Sequence, residues 1–295
     1  MKAINLTILL MLGAAVLALP GGAGEMPRAS VEYVRVGYSA SLCGEVDLQD
    51  AKLAMDSWTG ELAKLTDMKP QTLVFTTLAE VKTLIKNREV DLVAIDCLDY
   101  LNMRGQGDLE PALVGMVQDQ VGSEFVLLVN RSQGISRLHQ LRGKAITIQG
   151  CRGTETIPRL WLDTLLKQQG LANSNAFFGS IKTVKKSSQA VLPVFFNQAD
   201  AAVTTRQAFE TLVELNPQMG KSLEVIAQSP RYLQTLLTIR KSLPGDFKAK
   251  IIDAALRLGN HPRGSQILNL FRAGKIIPFN PTFLKNLEEL AGKSS

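Results

Sequence analysis

Ala145-Ile-Thr-Ile-Gln-Gly-Cys-Arg-Gly-Thr-Glu-Thr156 decides how the rest of the chain is read. A short apolar run stops at a Gly-X-X-Gly turn, passes through hydroxyl residues and runs into a helical pattern. A strand end that feeds a helix N-terminus is where α/β proteins hold ligands, because the free backbone N–H groups of the first turn point outward there. No nucleophile–base pair and no metal-ligand spacing stands beside it. The segment reads as built to hold a molecule rather than to transform one.

The pattern extends outward on both sides. Tyr33–Tyr38, Thr72–Thr76 and Asp91–Ile95 read as strands, with helices over 49–65 and 78–86 between them. The first helix has an apolar side of Ala51, Leu53, Ala54, Trp58, Leu62 and Leu65, and Thr77 is placed to cap the second. This β-α-β-α-β order predicts right-handed crossovers and a parallel sheet. Leu113–Val117 and Phe125–Val129 then follow as strands with no long helix between them. A second α/β segment has strands at 145–149 and 199–203 and helices over about 157–169 and 188–197, the latter containing Pro193. Leu223–Ala227 and Thr235–Ile239 read as a strand pair. A helix follows over 246–258, and Asn280-Pro281 opens a last one. Two sheet segments joined by strands rather than by linkers predict two lobes, two crossings and a cleft that closes by hinge motion.

The chain begins with Met1-Lys2, an apolar run over Leu6–Leu19 and small residues at 21–24, the pattern of an export signal cleaved near residue 24. About 270 residues then remain, enough for one large domain or two lobes. The formal net charge is +6, from 33 Lys and Arg against 27 Asp and Glu. These charges are interspersed, and the Lys182, Lys185, Lys186 cluster lacks an aromatic platform, so nucleic acid is not expected as a partner. Cys43, Cys97 and Cys151 are an odd set for an exported protein. One disulfide among them is open, and each follows an apolar run toward one rim. His139 and His261 are not in ligand spacing with them, so no metal and no cofactor is expected.

Five segments taken in order carry a resemblance over about 34–290. They are Arg35-Val-Gly-Tyr38, Glu89-Val-Asp-Leu-Val-Ala94 ending in Tyr100, Gly134–Lys144, Asn197-Gln-Ala-Asp-Ala-Ala-Val203 and Leu223–Pro230. The chain resembles the periplasmic substrate-binding proteins of phosphonate, phosphite and phosphate uptake systems, which have the type II binding-protein fold. The resemblance implies an α/β protein of two lobes, each a mostly parallel sheet flanked by helices. It places lobe one at 26–114 and 223–295 and lobe two at 115–222. It also implies a periplasmic monomer that closes over a small ligand and meets an inner-membrane transporter or a signalling receptor. Ligand oxygens would be met by hydroxyls and helix N-terminal N–H groups from both lobes.

Ser39, Ser41 and Thr77 are the candidate ligand-binding residues after the first strands, and Asp96 and Tyr100 follow the third. Arg152, Gly153, Thr154 and Thr156 follow the central strand. Ser187, Ser188 and Thr205 complete the set. An arginine forks around a carboxylate or phosphate, and a glycine lets the backbone approach it. The chain departs from the family where Cys151-Arg152-Gly153 replaces serines and Asp96-Cys97 replaces Gly-Pro. The expected ligand is therefore a small oxyanion or polar organic acid, with a lipid-like molecule as the alternative. A thiol-dependent enzyme using Cys151 is the rival from another class, since an arginine and a helix start lower a thiol pKa.

Overall fold

A computed structural model describes residues 33–150, 156–270 and 273–294. The elements in chain order begin with β1 (Tyr33–Ser39), a 3-10 turn (Ala40–Cys43), α1 (Leu48–Thr66), β2 (Lys69–Phe75), α2 (Leu78–Lys86), β3 (Leu92–Asp96) and α3 (Cys97–Met103). Next are β4 (Leu109–Val117), β5 (Gln120–Val121), β6 (Phe125–Asn130), β7 (Ala145–Gln149) and α4 (Ile157–Gln168). α5 (Ser174–Phe177), β8 (Ser180–Val184), α6 (Ser187–Phe195), β9 (Ala201–Thr205), α7 (Arg206–Leu215) and α8 (Pro217–Ser222) follow. The chain then gives β10 (Leu223–Gln228), β11 (Thr235–Arg240), α9 (Gly245–Gly259), α10 (Pro262–Leu270) and β12 (Lys275–Pro278). A 3-10 turn (Pro281–Leu284) precedes α11 (Lys285–Ser294).

The strands form two sheets. The first has the order β12-β4-β11-β3-β1-β2, with β5 added to β4; the second has the order β10-β6-β9-β7-β8. Both are mixed rather than mostly parallel. β2, β1 and β3 run parallel, as do β8, β7 and β9. β11 then joins β3 antiparallel, and β6 joins β9 antiparallel. The reversed strands arise because the chain enters each sheet from the other one. Leu223–Gln228 and Thr235–Arg240, expected to pair with each other, stand in different sheets. β10 pairs with β6, so residues 223–228 belong with the middle of the chain.

Two crossings join the sheets, one over 122–124 and one over 229–234. They hold each other. Ser123 and Tyr232 exchange backbone hydrogen bonds at 3.0 Å, and Phe125 N donates to Ser229 Oγ at 2.7 Å. Gly122 has a φ of 78°, and a Cβ there would stand 2.7 Å from the Tyr232 carbonyl oxygen. Glu124 pairs with both Arg206 and Arg231 at 3.1 Å. α11 packs against α3 and α4, burying Leu287 and Leu290.

The core of the first sheet on the α1 side is Val34, Val36, Met55, Trp58, Leu62 and Ile251. Leu53 and Leu65, read as part of that face, are 69% and 40% exposed; the helix turns Ala51, Ala54, Met55, Trp58 and Leu62 inward instead. Beneath the sheet, Asp91 is fully buried and accepts from Arg240 Nη2 at 2.6 Å and from Arg35 N at 2.9 Å. That carboxylate ties β1, the entry of β3 and β11 together at the sheet end away from the helix starts. Cys43 and Cys97 are both buried, and Cys151 lies outside the described residues. No helix among the described residues is long and apolar enough to cross a membrane.

Candidate functional site

The parallel strands of both sheets end at helix or 3-10 starts, and their N-caps are the candidate residues. Ser39 caps the 3-10 turn after β1, with Oγ accepting from Ser41 N at 3.3 Å and lying 2.8 Å from Ser41 Oγ. Thr77 accepts from Glu80 N at 3.2 Å at the start of α2. Asp96 accepts from Leu98 N at 2.8 Å at the start of α3. From the second sheet, Thr205 accepts from Ala208 N at 3.2 Å at the start of α7. Thr156 is the N-cap of α4, and its hydroxyl makes no bond to its own helix. A cap side chain satisfies one of the first N–H groups and leaves others of the first turn to face a ligand.

A cavity of about 770 Å³ lies between these ends. Ser39, Ser41, Asp96, Gln149, Thr156 and Thr205 line it, with Asn102, Lys185 and Gln207. Lys185 is the one basic side chain among the described lining residues. One end of the cavity is apolar, walled by Leu42, Trp58, Leu113, Leu268 and Ile276. The Trp58 indole N–H is buried there with no hydrogen-bond partner. The volume falls within the ~300–1,000 Å³ typical of sites for small organic ligands.

Five of the twelve expected site residues line the cavity: Ser39, Ser41, Asp96, Thr156 and Thr205. Four others stand elsewhere. Tyr100 is 5% exposed within the core beneath α3. Thr77 is spent on capping α2, while its neighbour Thr76 reaches the cavity. Ser187 opens α6, where its N–H donates to Glu45 at 2.9 Å, and Ser188 follows it into the helix. Arg152, Gly153 and Thr154 lie outside the described residues.

Asp96 sets the electrostatics. Burial raises its carboxyl from the ordinary 3.8 to about 6, with neighbouring Asp99 adding to the rise and the Leu98 N–H opposing it. Burial also raises Asp99. The Cys97 thiol next to it is pushed well above its usual range by burial and by Asp96, so it stands as a neutral thiol rather than a nucleophile. Neither His139 nor His261 lines this cavity. Among the described residues no group of three His, Cys, Asp or Glu side chains could hold a metal ion.

Gln149 and Glu45 went unrecognised in the sequence. Gln149 is the last residue of β7, so the rule that ligands sit at strand ends reaches it. Its Oε1 accepts from Thr204 Oγ1, and its Nε2 donates to Glu45 Oε1 at 2.8 Å. Glu45 sits in a loop with no motif of its own.

Three solved structures share this architecture. PhnD1 from Prochlorococcus marinus, in complex with methylphosphonate, is 19% identical with a TM-score of 0.64, covering 89% of this chain and 98% of that one. The binding component of an ABC phosphonate transporter from Pseudomonas aeruginosa is 16% identical at a TM-score of 0.64, covering 89% and 86%. A Xanthomonas citri protein bound to ATP is 14% identical at 0.66, covering 89% and 97%. At such identities they show the fold alone: an α/β protein of the type II binding-protein class. No curated protein matches the sequence. The model of the family described as "ABC transporter, phosphonate, periplasmic substrate-binding protein" matches residues 47–282. The chain belongs to that family, the periplasmic substrate-binding proteins of phosphonate-type ABC transporters.

Proposed function

We propose that this protein captures a small organic oxyanion, of the phosphonate or carboxylate kind, between two lobes and hands it to a membrane transporter. One observation carries the reading: strand-end helix starts from both sheets converge on one cavity, with the unspent hydroxyl of Thr156 among them. Helix N-termini and hydroxyls replace the water of an oxyanion without needing a full counter-charge. The apolar end at Trp58 and Leu113 favours an anion that carries an organic group over a bare inorganic one. Methylphosphonate, the ligand of the Prochlorococcus relative, is the first compound to try.

Lobe one is proposed to hold β1–β5, β11 and β12, and lobe two β6–β10, with the crossings at 122–124 and 229–234 as hinges. The protein is a periplasmic monomer in this reading, exported by the leader read at 1–24, and a transporter rather than a receptor is its partner. Thr156, Ser39, Ser41 and Thr205 contact the ligand, together with Arg152, Gly153 and Thr154. The protein performs no chemistry on its cargo. Native mass spectrometry of protein purified from its own host tests the reading, followed by calorimetric titration with methylphosphonate and with short carboxylates. A co-purified mass carrying phosphorus or a carboxylate is expected. Protein that carries no small molecule and binds none of these anions overturns it.

A further inference from the structure

α6 has a start that its own chain does not complete. Its N-cap, Lys186, makes no side-chain cap bond, and Ser187 is buried, so its N–H needs a partner. The partner comes from the other sheet. Glu45 lies between the 3-10 turn after β1 and α1, next to Gly44, which ends that turn at a φ of 53°. Glu45 Oε1 accepts from Ser187 N at 2.9 Å and from Gln149 Nε2 at 2.8 Å. The next residue repeats the link in the same direction, with Lys185 Nζ donating to the Val46 carbonyl at 2.6 Å. Two neighbouring residues of the loop after β1 therefore hold three donors from the ends of β7 and β8 and the start of α6. The carboxylate also lies at the positive end of the α6 dipole, where negative charge is favoured.

We infer that Glu45, which also lines the cavity, is a latch that holds the cleft closed before any ligand arrives, and is thus a positioning residue for capture. The inference rests on the capture reading only for its effect on affinity; its effect on shape stands alone. The latch bonds form while the cavity keeps its volume, so latch and ligand are compatible. A ligand that binds the closed form pays for closing the open one, and its apparent affinity falls by the closed fraction. The latch raises that fraction. Breaking it leaves the Ser187 N–H and the Gln149 amide to water, which an open cleft supplies.

Small-angle X-ray scattering of ligand-free protein, stripped by unfolding and refolding, reads the latch directly. Glu45→Ala is expected to raise the radius of gyration above that of the parent, and methylphosphonate to bring it back. Glu45→Gln keeps the accepting Oε1 and is expected to scatter like the parent. Stopped-flow titration with methylphosphonate should show binding on the order of tenfold weaker in Glu45→Ala, mainly through faster release. Cooperative thermal unfolding of both variants shows that each has folded. Identical scattering of Glu45→Ala and the parent overturns the latch, as does a Glu45→Gln variant as open as Glu45→Ala. If methylphosphonate binds neither protein, the ligand reading fails while the scattering comparison still decides the latch.

Discussion

Asp96→Asn is expected to make the protein more stable at pH 8 and no more stable at pH 4. Asp96 lines the cavity, and burial raises its carboxyl from 3.8 to about 6. The folded protein thus holds this proton more tightly than the unfolded chain does. The ionised carboxylate costs stability at every pH above 6; the cost shrinks as pH falls through 6 and is gone below 3.8. At ~1.36 kcal/mol per pH unit, the full displacement is about 3 kcal/mol. The cavity admits solvent, which brings the expected gain down to about 1–3 kcal/mol. Asparagine keeps the other role of the residue, because its side-chain oxygen can accept from Leu98 N and it caps helices as well as aspartate. Urea unfolding of both proteins at intervals between pH 4 and 8 measures the difference. A gain that is the same at both ends of the range, or a loss at pH 8, would refute the assignment of the shift to burial. The same reasoning makes the neutral carboxyl a hydrogen-bond donor toward an anion below pH 6. Methylphosphonate should therefore bind the parent more tightly at pH 5 than at pH 8, and Asp96→Asn should lose that dependence.

Two further predictions concern the frame around the cavity. Arg240→Met leaves Asp91 buried with its closest ion-pair partner gone, and urea unfolding should show a loss of about 3–5 kcal/mol. Gly122→Ala places a Cβ against the Tyr232 carbonyl at a φ of 78°, so it should cost more than about 1 kcal/mol in the same assay and disturb the paired crossings, visible as altered scattering of the ligand-free protein.

The parts of the fold that could be read from the sequence are those whose burial is one-sided in pattern or complete. β3 and β6 are buried along almost their whole length and read as apolar runs. β8 escaped because it is an edge strand with three of its five residues exposed, so Ser180–Val184 carries no alternation strong enough to see. β2 is legible only from Thr72 because its first three residues, including Pro70, are exposed at an edge of the first sheet, where a missing N–H is tolerated. β12 is likewise a short edge strand. The exchange of β10 and β11 between sheets could not be seen at all. Two adjacent apolar runs look the same whether they pair with each other or with strands a hundred residues away.

The site divides along the same line. Ser39 and Asp96 were legible because each is the first polar residue after an apolar run, and Thr156 and Thr205 because each is a hydroxyl residue directly before a helix; local chemistry makes such residues caps. For these four, capping and facing the cavity go together, since parallel strands deliver their helix starts to one edge; Thr77 caps α2 without lining the cavity. Tyr100 failed the same test: it stands inside α3, past the first turn, where a side chain points wherever the helix face sends it, and that face is the core. Glu45 is the opposite case. Its partner Ser187 lies 142 residues away, and nothing in a loop of Gly44-Glu45-Val46-Asp47 distinguishes a latch from a solvated turn. The only local trace was on the far side, in a helix that begins Lys186-Ser187 with no capping bond of its own. The start of α6, left incomplete by its own chain at the edge of the cleft, is where Glu45 supplies the missing acceptor.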